Sequence, residues 1–403
     1  MRKNHTPSTK GFVLPVTVGI IVILVLLGTG LLALGFTSRV QAIRHSEDIY
    51  ARAAADSGVT HALFLMNKKL DEELVWDNST LNLIFASNEH LDNSNEYYSF
   101  KVTGDPSGFL ITSTGISGHA SRTIYGNTRI KSIFDYGIVV KTDLVMSPNS
   151  SIDSYNSTTG ETGLPMLIGT NSTDENSIIV QPGAVINANV HVGVGSDPAS
   201  VVSNSGDING EVEPMPHEYE FPPIVIPPLT EIDTKIEAKN VTYTLNSGDS
   251  GRYNSIDVSQ ANGVLEINGD VVLYVTEDIS LGNGSEIKIT VGSSLIVYLD
   301  GDFMGDNGSG VTNETATPAN FKLYGTGGEG QIIDLKAKDE FYGAVYAPDA
   351  ELSLKAGANI YGAFIGESFE IKSETSFYYD ITLKNSLIDD VGTRLIIRNW
   401  REI

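Results

Sequence analysis

From Gly11 to Ser38 the chain carries no charged side chain, and most positions in that run are apolar. Its 28 residues exceed the ~20 that cross a bilayer as a helix. Charge returns at Arg39, yet the helical pattern continues. Residues 37–74 hold one glycine and no proline, and Ile49, Ala53, Leu63, Leu70 and Leu74 recur at spacings compatible with one helical face. Asp48 and Arg52 form an opposite-charge pair one turn apart, and Lys68 and Glu72 a reversed one. Pro15 falls in the first turn, where a missing N–H does little harm. The pattern predicts one transmembrane and stalk helix over residues 12–75, roughly 95 Å long at about 1.5 Å per residue.

Beyond it the period changes. Residues 76–95 read as a polar loop. Tyr98-Phe100-Val102 and Leu110-Thr112 alternate with a period near two, punctuated by Gly104, Gly108, Gly115 and Gly118. About three antiparallel strands are expected over 76–131, packed on the exposed half of the helix as a small α+β part. From residue 132 the strands are short and separated by Gly, Asn, Asp and Ser. In the first β-rich region, 132–212, Ile186, Ala188, Val190, Val192 and Val194 point to one face, and Asn187, Asn189 and His191 to the other. Six prolines between Pro214 and Pro228 mark residues 213–235 as a stiff, extended connector.

The region 236–385 contains an internal repeat. FYGAVYAPDAELSLKAG and IYGAFIGESFEIKSE align at a shift of 19, with Tyr342-Gly343-Ala344 on Tyr361-Gly362-Ala363 and Glu351-Leu352 on Glu370-Ile371. That period is close to the ~20-residue coils of solenoids, whose apolar faces are buried only by stacking. The fold class is therefore a long N-terminal helix followed by mainly β structure, with a C-terminal β-solenoid; a β-sandwich is the alternative. Residues 386–403 are expected to add a last strand segment.

Composition narrows the chemistry. No cysteine is present, which excludes disulfides, thiol nucleophiles and cysteine metal sites. Net charge is −24, and without the basic first ten residues it is −27. Such a surface repels nucleic acid. Asp300, Asp302 and Asp306 suggest a calcium loop, but Met304 and Val311 occupy positions where an EF-hand needs oxygen ligands, so no metal and no cofactor is expected. The seven histidines make no HExxH or close pair. Arg252 is the only arginine between Lys131 and Arg394, which leaves a solenoid lyase without its base. Two carboxylates could serve a glycoside hydrolase, but no pair stands out, so no enzyme is expected. Tyr342, Tyr361 and Tyr378-Tyr379 are candidates for carbohydrate or surface contact, although tyrosines aligned in a repeat more often stack in a ladder.

Lys10-Gly11-Phe12 places a small residue between a short basic leader and an apolar aromatic. This resembles the cleavage site of type IV prepilins. The resemblance implies a leader over residues 1–11, cleavage after Gly11 by a prepilin peptidase, N-methylation of Phe12, and packing of the N-terminal helix with other pilins. ARAAADSGVTHAL resembles the helix of PilX-like minor pilins. LIVYLDGDF, NFKLYGT, FYGAVYAPDAELSL, FYYDITL and RNWRE resemble an uncharacterised domain behind pilin-like N-termini in bacterial surface proteins.

Most pilins carry glutamate as the fifth mature residue, where it neutralises a neighbour's N-terminus; here that position is Val16. The expected protein is a minor pilin-like component of a type IV pilus or secretion filament. It would be tip-located, with an acidic head for priming or adhesion to a surface or glycan. Basic residues ahead of the apolar run predict an N-terminus inside and a start in the inner membrane, followed by the cell surface. The competing expectations are a static envelope anchor and a membrane-tethered carbohydrate-active enzyme.

Overall fold

A computed structural model of the chain describes residues 13–72, 84–91, 94–105, 108–232, 234–259, 262–337, 340–356, 359–385 and 391–402. The leader, Gly11, Phe12 and the end of the expected helix at 73–75 lie outside the described residues. The first element, α1 (Val13–Glu72), is a single 60-residue helix. Its threonines do not break the apolar surface, because each hydroxyl donates back to a carbonyl of the preceding turn. Thr17 bonds Leu14 O at 2.9 Å, Thr29 bonds Val25 O at 3.0 Å and Thr37 bonds Ala33 O at 2.7 Å.

The chain divides into two compact units. One comprises α1 up to Met66, the stretch to Arg129 and the residues from Ile397 onward; the other comprises Asn67–Trp76 and Ile130–Ile396.

In the first unit β1 (Phe85–His90), β2 (Tyr97–Asp105), β3 (Gly108–Ser117) and β4 (Ala120–Lys131) form an antiparallel meander, and the C-terminal strand Arg394–Glu402 lies beside β4. β1 falls where a loop is expected. Its sequence, FASNEH, has one buried side chain, Ala86, so it carries no apolar alternation to read.

The buried face of α1 is also not the expected one. Of the expected positions Leu70 is buried, but Ile49 is 53% exposed and Ala53 is exposed, whereas Ala51, Ala54, Ala55, Gly58, Val59, Ala62 and Met66 are buried. Small residues win because the sheet comes close. A Cβ placed on Gly115 of β3 would stand 2.1 Å from Ala51 O and 2.3 Å from Ala55 N. Along β3, Phe109 and Ile111 point inward, and Leu110 and Thr112 are the half-buried partners.

The second unit holds a 22-stranded sheet whose described pairings are all parallel, and a parallel four-stranded sheet of Thr242–Asn246, Val264–Asn268, Glu286–Ile289 and Gly310–Asn313. Parallel pairing rules out the antiparallel sandwich. One apolar column threads the large sheet: Leu273, Val297, Leu323, Val345, Phe364, Ile138, Ile168, Val190 and Val212 lie side by side on successive strands. Spatial order and chain order therefore differ. The stretch 138–214 leads away from the middle of the stack. The proline-rich connector follows, and 236–380 stacks until its last strands meet the first.

The repeat is real in its first half and shifted in its second. Tyr342, Gly343 and Ala344 lie on Tyr361, Gly362 and Ala363, but Leu352 lies on Phe369 and Leu354 on Ile371, because the register slips between Ala347 and Glu351. The extra residues lie between Ala347 and Glu351, at Pro348-Asp349-Ala350. Gly362 (φ 153°) has no room for a side chain, since a Cβ there would meet Gly343 O at 1.7 Å.

Gly115→Val should force α1 off the sheet and lower the thermal midpoint of unfolding, at a cost of about 1–3 kcal/mol. Gly19→Ala is the control, since nothing lies within 4 Å of its Cβ position. Equal midpoints for the two variants would show that the close approach contributes nothing.

Candidate functional site

The first half of α1 is the most unusual surface of the molecule. Leu14, Leu24, Leu32 and Phe36 are 77%, 61%, 75% and 71% exposed, and this half is long and apolar enough to cross a bilayer. An apolar surface this large is not left in water: each Å² costs roughly 25 cal/mol. Val16 lies on it, 46% exposed, in the first turn after Pro15. It offers no carboxylate to a neighbouring chain.

The outer face of the second half is apolar in a narrower way. Ile43, Tyr50 and Phe64 are exposed, and they fall at multiples of seven residues from Phe36 of the first half. That period keeps one seam facing a partner helix. Phe64 also borders an open groove with Asp56, Ser57, Thr60 and His61. Burial pushes the Asp56 carboxyl up, which Arg52 partly offsets.

In the second unit the tyrosine candidates separate. Tyr342, Tyr361 and Tyr378 form a ladder with ring centroids 4.6 and 5.1 Å apart, and Tyr155 meets Tyr361 edge-on at 5.0 Å. Tyr342 donates to Glu340 at 2.6 Å. The rings cover one another's faces, so the ladder presents edges and hydroxyls where a sugar would need an open face. Tyr379, by contrast, is completely buried; adjacent residues on a strand point to opposite sides. Tyr346 is also completely buried and donates to Pro222 O in the connector at 2.7 Å.

The aspartates of the suggested calcium loop serve the stack. Asp300 accepts from the Tyr274 hydroxyl at 2.5 Å and from Thr326 Oγ1 at 2.5 Å, and Asp302 accepts from Ile332 N at 2.8 Å. Among the described residues no three metal-ligating side chains converge.

His191, expected on the outer face, is only 7% exposed. Its Nδ1 lies 2.7 Å from the Tyr136 hydroxyl and its Nε2 3.3 Å from Glu213. Desolvation, with Asp135 and Glu213 nearby, pushes the Tyr136 phenol up to about 12. The phenol therefore stays protonated near neutral pH, and the imidazole lies between it and the Glu213 carboxylate. Val194 is 49% exposed, because the strand ends at Val192 and the chain turns away.

The clearest electrostatic cluster is Asp257 with Lys235 at 2.8 Å and Lys239 at 3.4 Å. Burial alone would raise the Asp257 carboxyl. Hydrogen bonds from Lys235 and Ser259, with the Lys235 charge, hold it well below the usual carboxylate range instead.

Residues 216–386 match the model of a domain of unknown function, DUF7305. No curated protein matches the chain. Among solved structures, the competence-associated pilin ComZ from Thermus thermophilus aligns at 12% identity over 89% of this chain and 97% of that one, with a TM-score of 0.23. A glycosylated ice-binding protein from Arctic yeast aligns at 14% identity over 62% and 94%, TM-score 0.28. An ice-binding protein of Shewanella frigidimarina aligns at 14% over 62% and 95%, TM-score 0.25. At TM-scores this low, none of them bears on the fold or role of this chain.

Because the folded Asp257 titrates below its unfolded value, its contribution to stability is present above the ordinary 3.8 and fades as pH falls through the folded value. Asp257→Asn should lower the urea midpoint at neutral pH, and the gap to the wild type should close as pH drops below 3.8. A gap independent of pH would contradict this assignment.

Proposed function

We propose that the chain is a minor pilin-like subunit of a type IV pilus or related secretion filament. The observation that carries the reading is the division of labour along α1. Its first half is bare and apolar, and the inner face of its second half is made of small residues clamped to an antiparallel sheet. A helix that only anchored a domain would end near the bilayer surface; this one continues unbroken to Glu72. The Lys10-Gly11-Phe12 junction supports processing by a prepilin peptidase, with the mature chain beginning at a methylated Phe12. In this reading the helix sits in the inner membrane with its N-terminus inside. It then exchanges lipid for the helices of other pilins, a trade in which apolar area stays covered throughout.

Val16 supports a place at the tip. A shaft position brings a neighbour's charged amine beside residue 16, and a buried amine without a carboxylate is costly. A tip subunit faces no such neighbour. The parallel ladder of the second unit supports a β-solenoid head, acidic and free of cysteine, that projects to prime assembly or to adhere to a surface or glycan.

The exposed seam of α1 gives a direct test. The double variant Tyr50→Glu and Phe64→Glu changes side chains that are 54% and 62% exposed, so its thermal midpoint should stay close to that of the wild type. It should nevertheless disappear from the sheared surface-fibre fraction and remain in the membrane fraction. Undiminished recovery with fibres would remove the seam from the assembly interface. Recovery of the wild type only with membranes would favour a static anchor.

A further inference from the structure

We infer that residues 132–136 are a latch holding the first coil of the stack against the last, and that the second unit opens at this one seam before any other coils separate. Elsewhere in the apolar column, neighbouring strands belong to successive coils of the same stretch of chain. At the seam, Phe364, Ile365 and Gly366 lie on Ile138, Val139 and Val140, and Phe377 lies on Ile152. These strands meet only by closing a very long loop, and that closure costs more entropy than adding the next coil. The seam is therefore the junction where cohesion must be supplied by other contacts.

Residues 132–136 supply them, each atom engaging a different part of the chain. Ser132 Oγ donates to Leu383 O at 2.9 Å, just after the last coil. The Tyr379 hydroxyl, from the last coil itself, donates to Phe134 O. The Tyr219 hydroxyl, from the connector, donates to Ile133 O. Tyr136 holds His191, which holds Glu213 at the far end of the stretch 138–214. Five residues thus tie together the last coil, the turn that leaves it, the connector and the outgoing stretch. Both tyrosines that donate to the latch carbonyls are buried, Tyr379 completely and Tyr219 to 7% exposure. Losing either hydroxyl strands a carbonyl without water to replace it. Burial pushes both phenols well above their ordinary value, so both remain donors at any pH near neutral.

Opening here separates two matched strand edges, 138–155 from 360–380, while the coils within 256–299 stay paired. The inference does not depend on the filament reading; it needs only the pairing order and the latch bonds.

Amide hydrogen exchange on the full chain in detergent micelles tests it, with Ser132→Ala and Tyr379→Phe as variants. Tyr379→Phe should speed exchange of amides in 138–155 and 364–380 roughly ten-fold, the scale of one lost buried bond; Ser132→Ala, which also loses the bond that Ser132 Oγ accepts from Phe134 N at 3.0 Å, should speed it at least as much; both should leave amides in 271–299 at wild-type rates. Faster exchange spread evenly over all coils would overturn the latch, since the bonds would then serve only global stability. Unchanged exchange at the seam would overturn it equally. Ser132→Ala removes a single hydroxyl and keeps the test open should Tyr379→Phe fail to fold.

Discussion

The apolar surface of α1 ahead of Arg39 is the constraint to which the rest of the chain answers. No other described element covers it, and water is the one surrounding it cannot tolerate at this size. Lipid or other helices must therefore enclose it. The second half of the helix meets the opposite demand: it needs a folded partner, and it obtains one through alanines and glycines that let a strand backbone touch the helix. A single rod thus carries both an outward and an inward interface, divided near the point where charge returns.

The second unit solves a different burial problem. A short strand cannot hide its apolar side alone, so each inward column gains its burial from the parallel strands on either side. Val345 rests between Leu323 and Phe364, and Ile168 between Ile138 and Val190. This arrangement tolerates a variable surface, which is where the described acidic residues other than Asp380 sit, and it needs no disulfide. Its weakness is that the chain does not follow the stack in order. The last coil must find the first, and the buried hydroxyls around Ile133 and Phe134 reinforce that meeting.

What the sequence disclosed follows from how local each signal is. The helix was legible because its pattern is continuous over 60 residues, yet of its buried face only Leu70 was. Ile49 and Leu63 are larger and more apolar than Ala51 and Ala54, and only the closeness of Gly115 reverses that preference. The repeat at Tyr342 and Tyr361 was legible because both strands keep identical residues, whereas the slipped register at Pro348 leaves no mark in composition. The seam was invisible, since Phe364 and Ile138 share no motif and lie far apart in the chain. Val16 could be named from its position alone. His191 could not be placed, because its cover, Tyr136, comes from a distant segment, and alternation alone assigned it to solvent.

The account stands most directly on where the mature chain begins. Intact-mass measurement of the protein recovered from sheared surface fibres should give a chain that starts at Phe12, lacks residues 1–11 and carries one added methyl group. A chain that retains Met1 and is found only with membranes would contradict it.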